Sequence, residues 1–188
     1  MSNSKRYNAN LEKVDREKEY GLDEAAELLI SFSRTKFDES IEMAINLGVD
    51  PKHAEQIVRG TVALPNGTGK DVKVLVFAKD NLAEEAKSAG ADFVGDNDMV
   101  EKVKGGWTDM DVIVAAPDMM AEVGKLGKIL GPRGLMPNPK TGTVTPDIAK
   151  AVTEVKAGKI EFRLDSNSII HNSIGKVSFP KEKIVENT

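Results

Sequence analysis

The sequence predicts an α/β protein of two domains in which one domain interrupts the other. Residues 40–49 alternate apolar and polar side chains, as a half-buried strand does. The middle of the chain instead alternates short apolar runs with helical segments, which is typical of a parallel sheet with crossover helices. The final strands return to the alternating style of the first. We therefore predict a discontinuous α+β domain formed by residues 1–66 and 159–188, with an inserted domain formed by residues 67–158.

The first part of the chain gives an arm, a helix and two strands. Residues 1–20 are polar and charged and are expected to form a mobile arm, and an apolar stripe over 25–32 predicts a helix. The strongest period-2 pattern has its apolar side at Ile41, Met43, Ile45, Leu47 and Val49. A second strand is expected around Ile57–Leu64, and the breaker cluster Pro65–Gly69 marks the first domain boundary.

The inserted segment is more apolar than the rest. Val72–Ala78 and Asp111–Ala116 are near-continuous apolar runs, as buried parallel strands are, and Asp92–Val94 is a third short strand. Helical segments separate these strands, and a helix over Ile148–Val155 ends before Gly158.

The returning segment is again polar and alternating. Lys159–Leu164 and Ile169–Phe179 are expected to be strands, and Pro180 begins a last helix. Two connections between the domains predict a hinge.

The composition excludes several kinds of site. The 188 residues include no cysteine and two histidines, His53 and His171, so disulfides, thiolate zinc sites and a cysteine nucleophile are excluded. Neither histidine has metal-ligand spacing, so we expect no metal and no cofactor. No apolar run of about 18 residues and no secretory signal occur, which predicts a cytoplasmic protein without membrane contact. The net charge of −4 requires any RNA site to be a local patch.

Gly67-Thr68-Gly69-Lys70 resembles part of a phosphate-binding loop but does not complete the motif. That motif needs glycine and a hydroxyl residue at the positions of Leu64 and Asp71. An aspartate repels phosphate, so an ordinary turn is the favoured interpretation.

A second glycine-rich segment, Gly124–Gly142, contains four cations and no acidic residue, in an acidic chain. Glycines allow close approach to a ligand, and prolines stiffen the loop. The residues alone leave two alternatives equally open: a solvated surface loop, or a loop that faces a phosphate backbone. In the second case the phosphate-facing cations are Lys125, Lys128, Arg133 and Lys140.

Two further groups of residues have a functional and a structural interpretation. Phe37 lies at the mouth of a strand, where it either stacks on an exposed base or packs on the core; for a lone aromatic, packing is favoured. Arg163, Asp165 and His171 suggest a catalytic cluster, but a cross-strand ion pair at the surface is the favoured interpretation.

Four segments together resemble a known family. Leu126–Val144, and above all its core Gly131–Pro137, is similar to the signature of the large ribosomal subunit protein one family. Thr35–Glu42, Val58–Lys70 and Gly158–Asp165 match the same family in its bacterial form. The resemblance extends over about residues 22–180, so it does not depend on a single motif.

The resemblance implies a Rossmann-like inserted domain and a non-enzymatic, RNA-binding first domain. Family members bind large-subunit rRNA at the mobile stalk beside the tRNA exit site, through shape readout of 2′-hydroxyls and base edges. The positions that match the RNA-facing motif are Lys36, Phe37, Ser40, Glu42, Arg163, Asp165 and His171. The resemblance therefore moves Phe37 and Glu42 from structural to RNA-contacting residues.

The same resemblance implies the partners. Family members assist release of deacylated tRNA from the exit site, and they also repress translation of their own operon mRNA. We accordingly expect contact with rRNA, exit-site tRNA, this mRNA and other ribosomal components, and a monomer when the protein is free. The four cations of Gly124–Gly142 then form a tRNA-facing or phosphate-facing loop.

The chain departs from the family pattern at its end. Family members usually continue with a helix and a strand that carries a Thr-Met-Gly segment facing the rRNA, whereas this sequence ends at Thr188, just after a helix start. We expect that a strand of the first domain and part of its RNA surface lie outside the sequence.

The alternative hypothesis is a small nucleotide-dependent enzyme built on the parallel domain. It requires a glycine-rich turn after the first parallel strand. The turn Ala78–Asn81 contains no glycine, which argues against nucleotide binding.

Overall fold

The computed structural model describes residues 4–32 and 34–188. These residues divide into two compact units. Unit 1 contains the described residues of Met1–Ile57 together with Leu64–Gly69 and Arg163–Thr188, and unit 2 contains Val58–Ala63 and Lys70–Phe162. The expected mixed α/β class is confirmed, with a parallel sheet and antiparallel strand pairing.

Unit 1 is built on a two-stranded antiparallel ribbon. Strand β1 (Ser40–Asn46) pairs with β7 (Ile169–Lys176), and a β-bulge shifts the register between Ile41 and Glu42. The helices of the unit are α1 (Lys5–Leu11), α2 (Leu22–Ile30) and α8 (Lys181–Asn187). A 3-10 turn over Ala54–Gln56 follows β1.

The core of unit 1 is small. Ala26 from α2 and Ile184 from α8 pack with Ile41 and Ile174 from the ribbon, and all four are buried. The cover extends over the start of β1: Ile41 is 6% exposed, whereas Ile45, on the same side of the strand, is 39% exposed.

A buried asparagine also stabilises unit 1. The Asn187 side chain is 5% exposed, and its amide donates to the carbonyl oxygens of Gly67 and Ile174, each at 2.8 Å. Its oxygen accepts a hydrogen bond from the Asn66 N–H at 3.1 Å. The end of α8 therefore fixes the backbone at 66–67, which satisfies polar groups that would otherwise be buried without partners.

Unit 2 contains a three-stranded parallel sheet in the order β4-β3-β5. Its strands are β3 (Val74–Phe77), β4 (Phe93–Gly95) and β5 (Val112–Ala115). The helices are α3 (Asp80–Ser88), α4 (Asn97–Lys104), α5 (Met120–Val123), α6 (Gly127–Leu130) and α7 (Ile148–Lys156). Short 3-10 turns lie at Pro117–Met119, Gly124–Leu126 and Pro139–Thr141.

The central strand of this sheet is fully covered. Val74, Leu75, Val76 and Phe77 are each 0% exposed, as expected for a parallel strand with both faces packed. The predicted apolar run is therefore confirmed as a buried strand. A separate two-stranded sheet pairs β2 (Arg59–Ala63) with β6 (Lys159–Arg163).

Candidate nucleic-acid interface

The β1–β7 ribbon has one apolar side and one polar side. Ile41 is 6% exposed and belongs to the core, whereas Ser40 and Glu42 are exposed on the opposite side of the strand. The register places Ser173 opposite Glu42, and residues directly opposite each other project from the same face. We call this polar side the open face. It consists of Ser40, Glu42, Ala44, His171, Ser173 and Lys176.

Phe37 lies three residues before the start of β1 and is 71% exposed. The preference for core packing that the residues alone gave is therefore wrong. The Thr35 hydroxyl donates to the Phe37 carbonyl at 2.7 Å, and the Asp38 carboxylate accepts from the Ser178 N–H at 3.0 Å and hydroxyl at 2.6 Å. The backbone on both sides of Phe37 is thus fixed while its ring remains available for stacking.

Asp165 and His171 come together at the start of β7. The Asp165 carboxylate accepts from the N–H groups of Asn167 and Ile169, each at 2.8 Å, and lies 3.6 Å from His171 Nε2. The Ile169 N–H is the main reason that the pKa of Asp165 is below its usual range. These contacts make Asp165 the residue that shapes the turn and orients His171.

The surface contact expected within this group joins Asp165 to His171. Strand β6 ends at Arg163 and Asp165 lies in the following turn, and Arg163 takes no part in the contact. Within residues 4–32 and 34–188, Arg163 and Lys36 make no side-chain hydrogen bond or salt bridge. Both side chains are exposed.

A groove of about 460 Å³ borders β1 in unit 1. Ser40 and Glu42 line it, and so do three arginines, Arg6, Arg16 and Arg34. Arg6 pairs with Glu39 at 2.8 Å, so a carboxylate offsets the charge of this arginine. The groove nevertheless brings positive charge to the margin of the open face in a chain whose net charge is −4.

Two residues of the open face were missed by the sequence analysis. Ser173 lies opposite Glu42, and Lys176 lies opposite Ser40 with its ammonium 2.8 Å from the Ser40 hydroxyl. The period-2 pattern of β7 would have placed Ser173 on the same face as His171. Lys176 is three residues after Ser173, and in a regular strand this odd spacing would place the two side chains on opposite faces. The β-bulge between these positions brings Lys176 opposite Ser40.

Segment Gly124–Gly142 in unit 2 is more ordered than a solvated loop. Leu126 and Leu130 are 1% and 0% exposed and belong to the core. Asn138 builds the next turn: its side chain accepts the Lys140 N–H at 2.8 Å, and its carbonyl accepts the Thr141 hydroxyl at 3.1 Å. Half of the predicted loop therefore has a structural function.

The four predicted cations of this segment differ in their surroundings. The Lys125 ammonium lies 2.7 Å from the Glu122 carboxylate, which reduces its attraction for phosphate. Arg133 donates to the Thr108 hydroxyl and so keeps its charge. Lys128 and Lys140 are exposed. A phosphate-facing function of this segment therefore depends on Lys128, Arg133 and Lys140.

The structure shows no metal-binding cluster of three or more His, Asp or Glu side chains among the residues it describes. In the same residues, no helix has the length and apolar character needed to span a bilayer.

The open face offers several chemical groups to a ligand. An exposed aromatic ring stacks on an unpaired base, and a carboxylate accepts hydrogen bonds from 2′-hydroxyls or base amino groups. A hydroxyl both donates and accepts hydrogen bonds. Glu42 and Ser173 of the open face provide the carboxylate and the hydroxyl, and Phe37, which precedes β1, provides the ring. This combination suits an RNA with exposed bases better than a regular duplex, where charge on phosphates dominates binding.

The sequence is similar to those of named ribosomal proteins. The chain is similar to Large ribosomal subunit protein uL1 of Chlorobaculum tepidum, with 60% identity over 97% of this chain and 79% of that protein. It is similar to the protein of the same name from Chlorobium phaeobacteroides, with 59% identity over 97% of this chain and 80% of that protein. The model of the Ribosomal protein L1p/L10e family matches residues 29–188. The chain therefore belongs to the Ribosomal protein L1p/L10e family, a family of structural ribosomal proteins that are not enzymes.

Proposed function

We propose that this protein is a structural constituent of the large subunit of the cytoplasmic ribosome and binds large-subunit rRNA through the open face of unit 1. The observation that carries the proposal is the exposed side chain of Phe37, which precedes Ser40 of the open face by three residues and whose carbonyl accepts the Thr35 hydroxyl. The names of the two relatives support the ribosomal assignment. The bound RNA is a folded region of the mobile stalk beside the tRNA exit site.

Recognition by shape explains how an acidic protein binds RNA. Glu42 is exposed, and within the described residues its carboxylate has no cationic partner, so it is free to accept from a 2′-hydroxyl. His171, oriented by Asp165, supplies a further polar group on the same face. Lys36 and Arg163 are exposed and add charge. Binding of this kind depends less on salt than binding through many phosphate contacts.

The test is binding of this chain to a folded stalk fragment of large-subunit rRNA across a salt series. Glu42→Ala is compared with Glu55→Ala, which removes an exposed carboxylate elsewhere in unit 1. We expect tight binding, a shallow salt slope, and weaker binding for Glu42→Ala alone. Equal loss in both variants, or no preference for the stalk fragment over an unrelated folded RNA of equal length, would contradict the proposal.

Two further activities are proposed for the same protein. Assistance in release of deacylated tRNA would use the cations Lys128, Arg133 and Lys140 of unit 2. Ribosomes that carry Arg133→Ala are expected to retain exit-site tRNA longer than wild-type ribosomes. Repression of its own operon mRNA would use the open face, so Glu42→Ala should relieve repression of a reporter that carries the leader. Unchanged tRNA release or unchanged repression would remove the corresponding activity.

We also propose a two-domain organisation and a monomeric state for the free protein. The domains would be residues 1–66 with 159–188, and a Rossmann-like insertion of residues 67–158. The division into compact units and the three-stranded parallel sheet support an interrupted first domain, with the difference that the compact division places residues 58–63 and 159–162 in unit 2. Residues 67–158 expressed alone should fold cooperatively, and sedimentation of the whole chain should give the mass of one copy. An unfolded insertion or a dimer would contradict the respective statement.

A further inference from the structure

In the described part of the chain, most lysines whose ammonium is held by another residue are held by a carboxylate, which offsets their charge. Within residues 4–32 and 34–188, eight lysines form salt bridges with acidic side chains. An ammonium held in this way contributes little to the attraction of an RNA phosphate. A cation that is fixed in place and not neutralised is therefore informative about function.

Lys176 is such a cation. It lies at the end of β7, directly opposite Ser40, and its ammonium donates to the Ser40 hydroxyl at 2.8 Å. A hydroxyl orients an ammonium without cancelling its charge. The carboxylate of the open face, Glu42, is paired in the ribbon with Ser173 and not with Lys176.

The position of Lys176 is also fixed by its surroundings. The stem of the side chain packs so closely that a Cβ placed on Gly69 would lie 2.9 Å from its Cγ. Gly69 has a φ of +69°, a conformation that suits glycine. The aliphatic stem and the ammonium are thus held at separate points, which reduces the conformational entropy lost when a ligand binds.

We propose that Lys176 is the phosphate-contacting residue of the open face and that Ser40 positions it. The proposal rests on the RNA-binding function proposed above. It adds a cation that is not among the residues matching the RNA-facing motif of the family. Phe37 and Glu42 would read bases and 2′-hydroxyls, while Lys176 would bind one backbone phosphate and fix the register of the RNA. Ser40 then acts mainly through Lys176 and not by direct contact with RNA.

The experiment measures affinity for the folded stalk fragment and its salt dependence in wild type, Lys176→Met, Lys176→Arg, Lys52→Met, Ser40→Ala and the double variant Ser40→Ala/Lys176→Met. Lys176→Met keeps the apolar stem and removes the charge, whereas Lys176→Arg keeps the charge. Lys52→Met is the matched control, because Lys52 is an exposed lysine of the same unit. Thermal unfolding of each variant confirms that the fold is retained.

We expect Lys176→Met to weaken binding about fivefold at low salt and to lower the salt slope by about 0.7 to 0.9, the loss of one phosphate contact. Lys176→Arg should keep the wild-type slope, and Ser40→Ala should weaken wild type more than it weakens Lys176→Met. Binding and slope of Lys176→Met equal to those of Lys52→Met would overturn the assignment while leaving the RNA-binding function intact. Absence of specific binding by the wild-type chain would overturn both.

Discussion

Strands β1 and β3 differ in how much of each strand is buried. All four residues of β3 are fully buried, from Val74 to Phe77, whereas β1 buries Ile41 and exposes Ser40 and Glu42. A strand covered on both faces offers its side chains only to packing, and a strand covered on one face keeps the other for a ligand. The proposed RNA-binding function therefore depends on the face of β1 that the helices leave uncovered.

Phe77 and Phe37 allow the difference between the two strands to be measured. Phe77 is 0% exposed at the end of β3, and Phe37 is 71% exposed before β1. The same substitution at the two positions should affect different properties of the protein.

Phe77→Ala should have the largest effect on stability. Removal of a buried aromatic ring leaves a cavity, and the free energy of unfolding should fall by about 3–5 kcal/mol. Urea unfolding followed by circular dichroism measures this loss. A loss below about 1 kcal/mol would mean that β3 is not the centre of a packed core.

Asn187→Ala should have the second-largest effect. It leaves the Gly67 and Ile174 carbonyls and the Asn66 N–H without their present partner, at a cost of about 2–3 kcal/mol in the free energy of unfolding. The control is Asn8→Ala, at an exposed position of the same unit, which should change stability by less than about 0.5 kcal/mol. Equal effects would show that the buried hydrogen bonds of Asn187 contribute nothing.

Phe37→Ala should leave stability within about 0.5 kcal/mol of wild type, because the ring is exposed. Its affinity for the stalk fragment should fall by about 1–3 kcal/mol, the cost of losing one stacked base. Leu22→Ala is the matched control, since Leu22 is 57% exposed in the same unit. If Phe37→Ala destabilises the fold as strongly as it weakens binding, its ring is a packing residue after all.

The smallest expected effect is on the way the free energy of unfolding changes at acidic pH, and it depends on Asp92. Partial burial of Asp92 disfavours its charged form, but hydrogen bonds from the Lys156 ammonium and the Val74 N–H, each at 2.7 Å, outweigh this and lower its pKa. A lowered folded-state pKa stabilises the protein above the ordinary aspartate pKa of about 4, and this contribution is lost as the pH falls through the folded-state value.

Asp92→Asn should therefore show a shallower loss of unfolding free energy than wild type between about pH 5 and pH 2. Denaturation by urea at several pH values gives the two curves. Parallel curves would mean that the carboxylate of Asp92 is not linked to folding.

The sequence predicted those parts of the fold that local patterns determine. The apolar run around β3 and the alternation in β1 each depend on whether one or both faces of a strand are covered, so a few neighbouring residues suffice. The position of Lys176 depends on a bulge in a pairing between strands more than 120 positions apart, and no local pattern contains it. Asn187 was missed for the same reason, because its partners are distant in the chain.

Segment 124–142 illustrates the opposite error. Its glycines and prolines favoured a loop, but Leu126 and Leu130 are spaced one helical turn apart and both are buried. Their spacing was visible in the sequence and was outweighed by the breaker residues. The candidate RNA contacts came mainly from the family resemblance, since the residues alone favoured a packed Phe37.

The most direct test of the open face is amide hydrogen exchange of the whole chain with and without the folded stalk fragment. We expect added protection in residues 35–42 and 169–176, which form the open face and its margin, and little change in residues 124–142. Protection confined to residues 124–142, with bound RNA and an unchanged open face, would contradict the account and place the RNA-binding surface in unit 2.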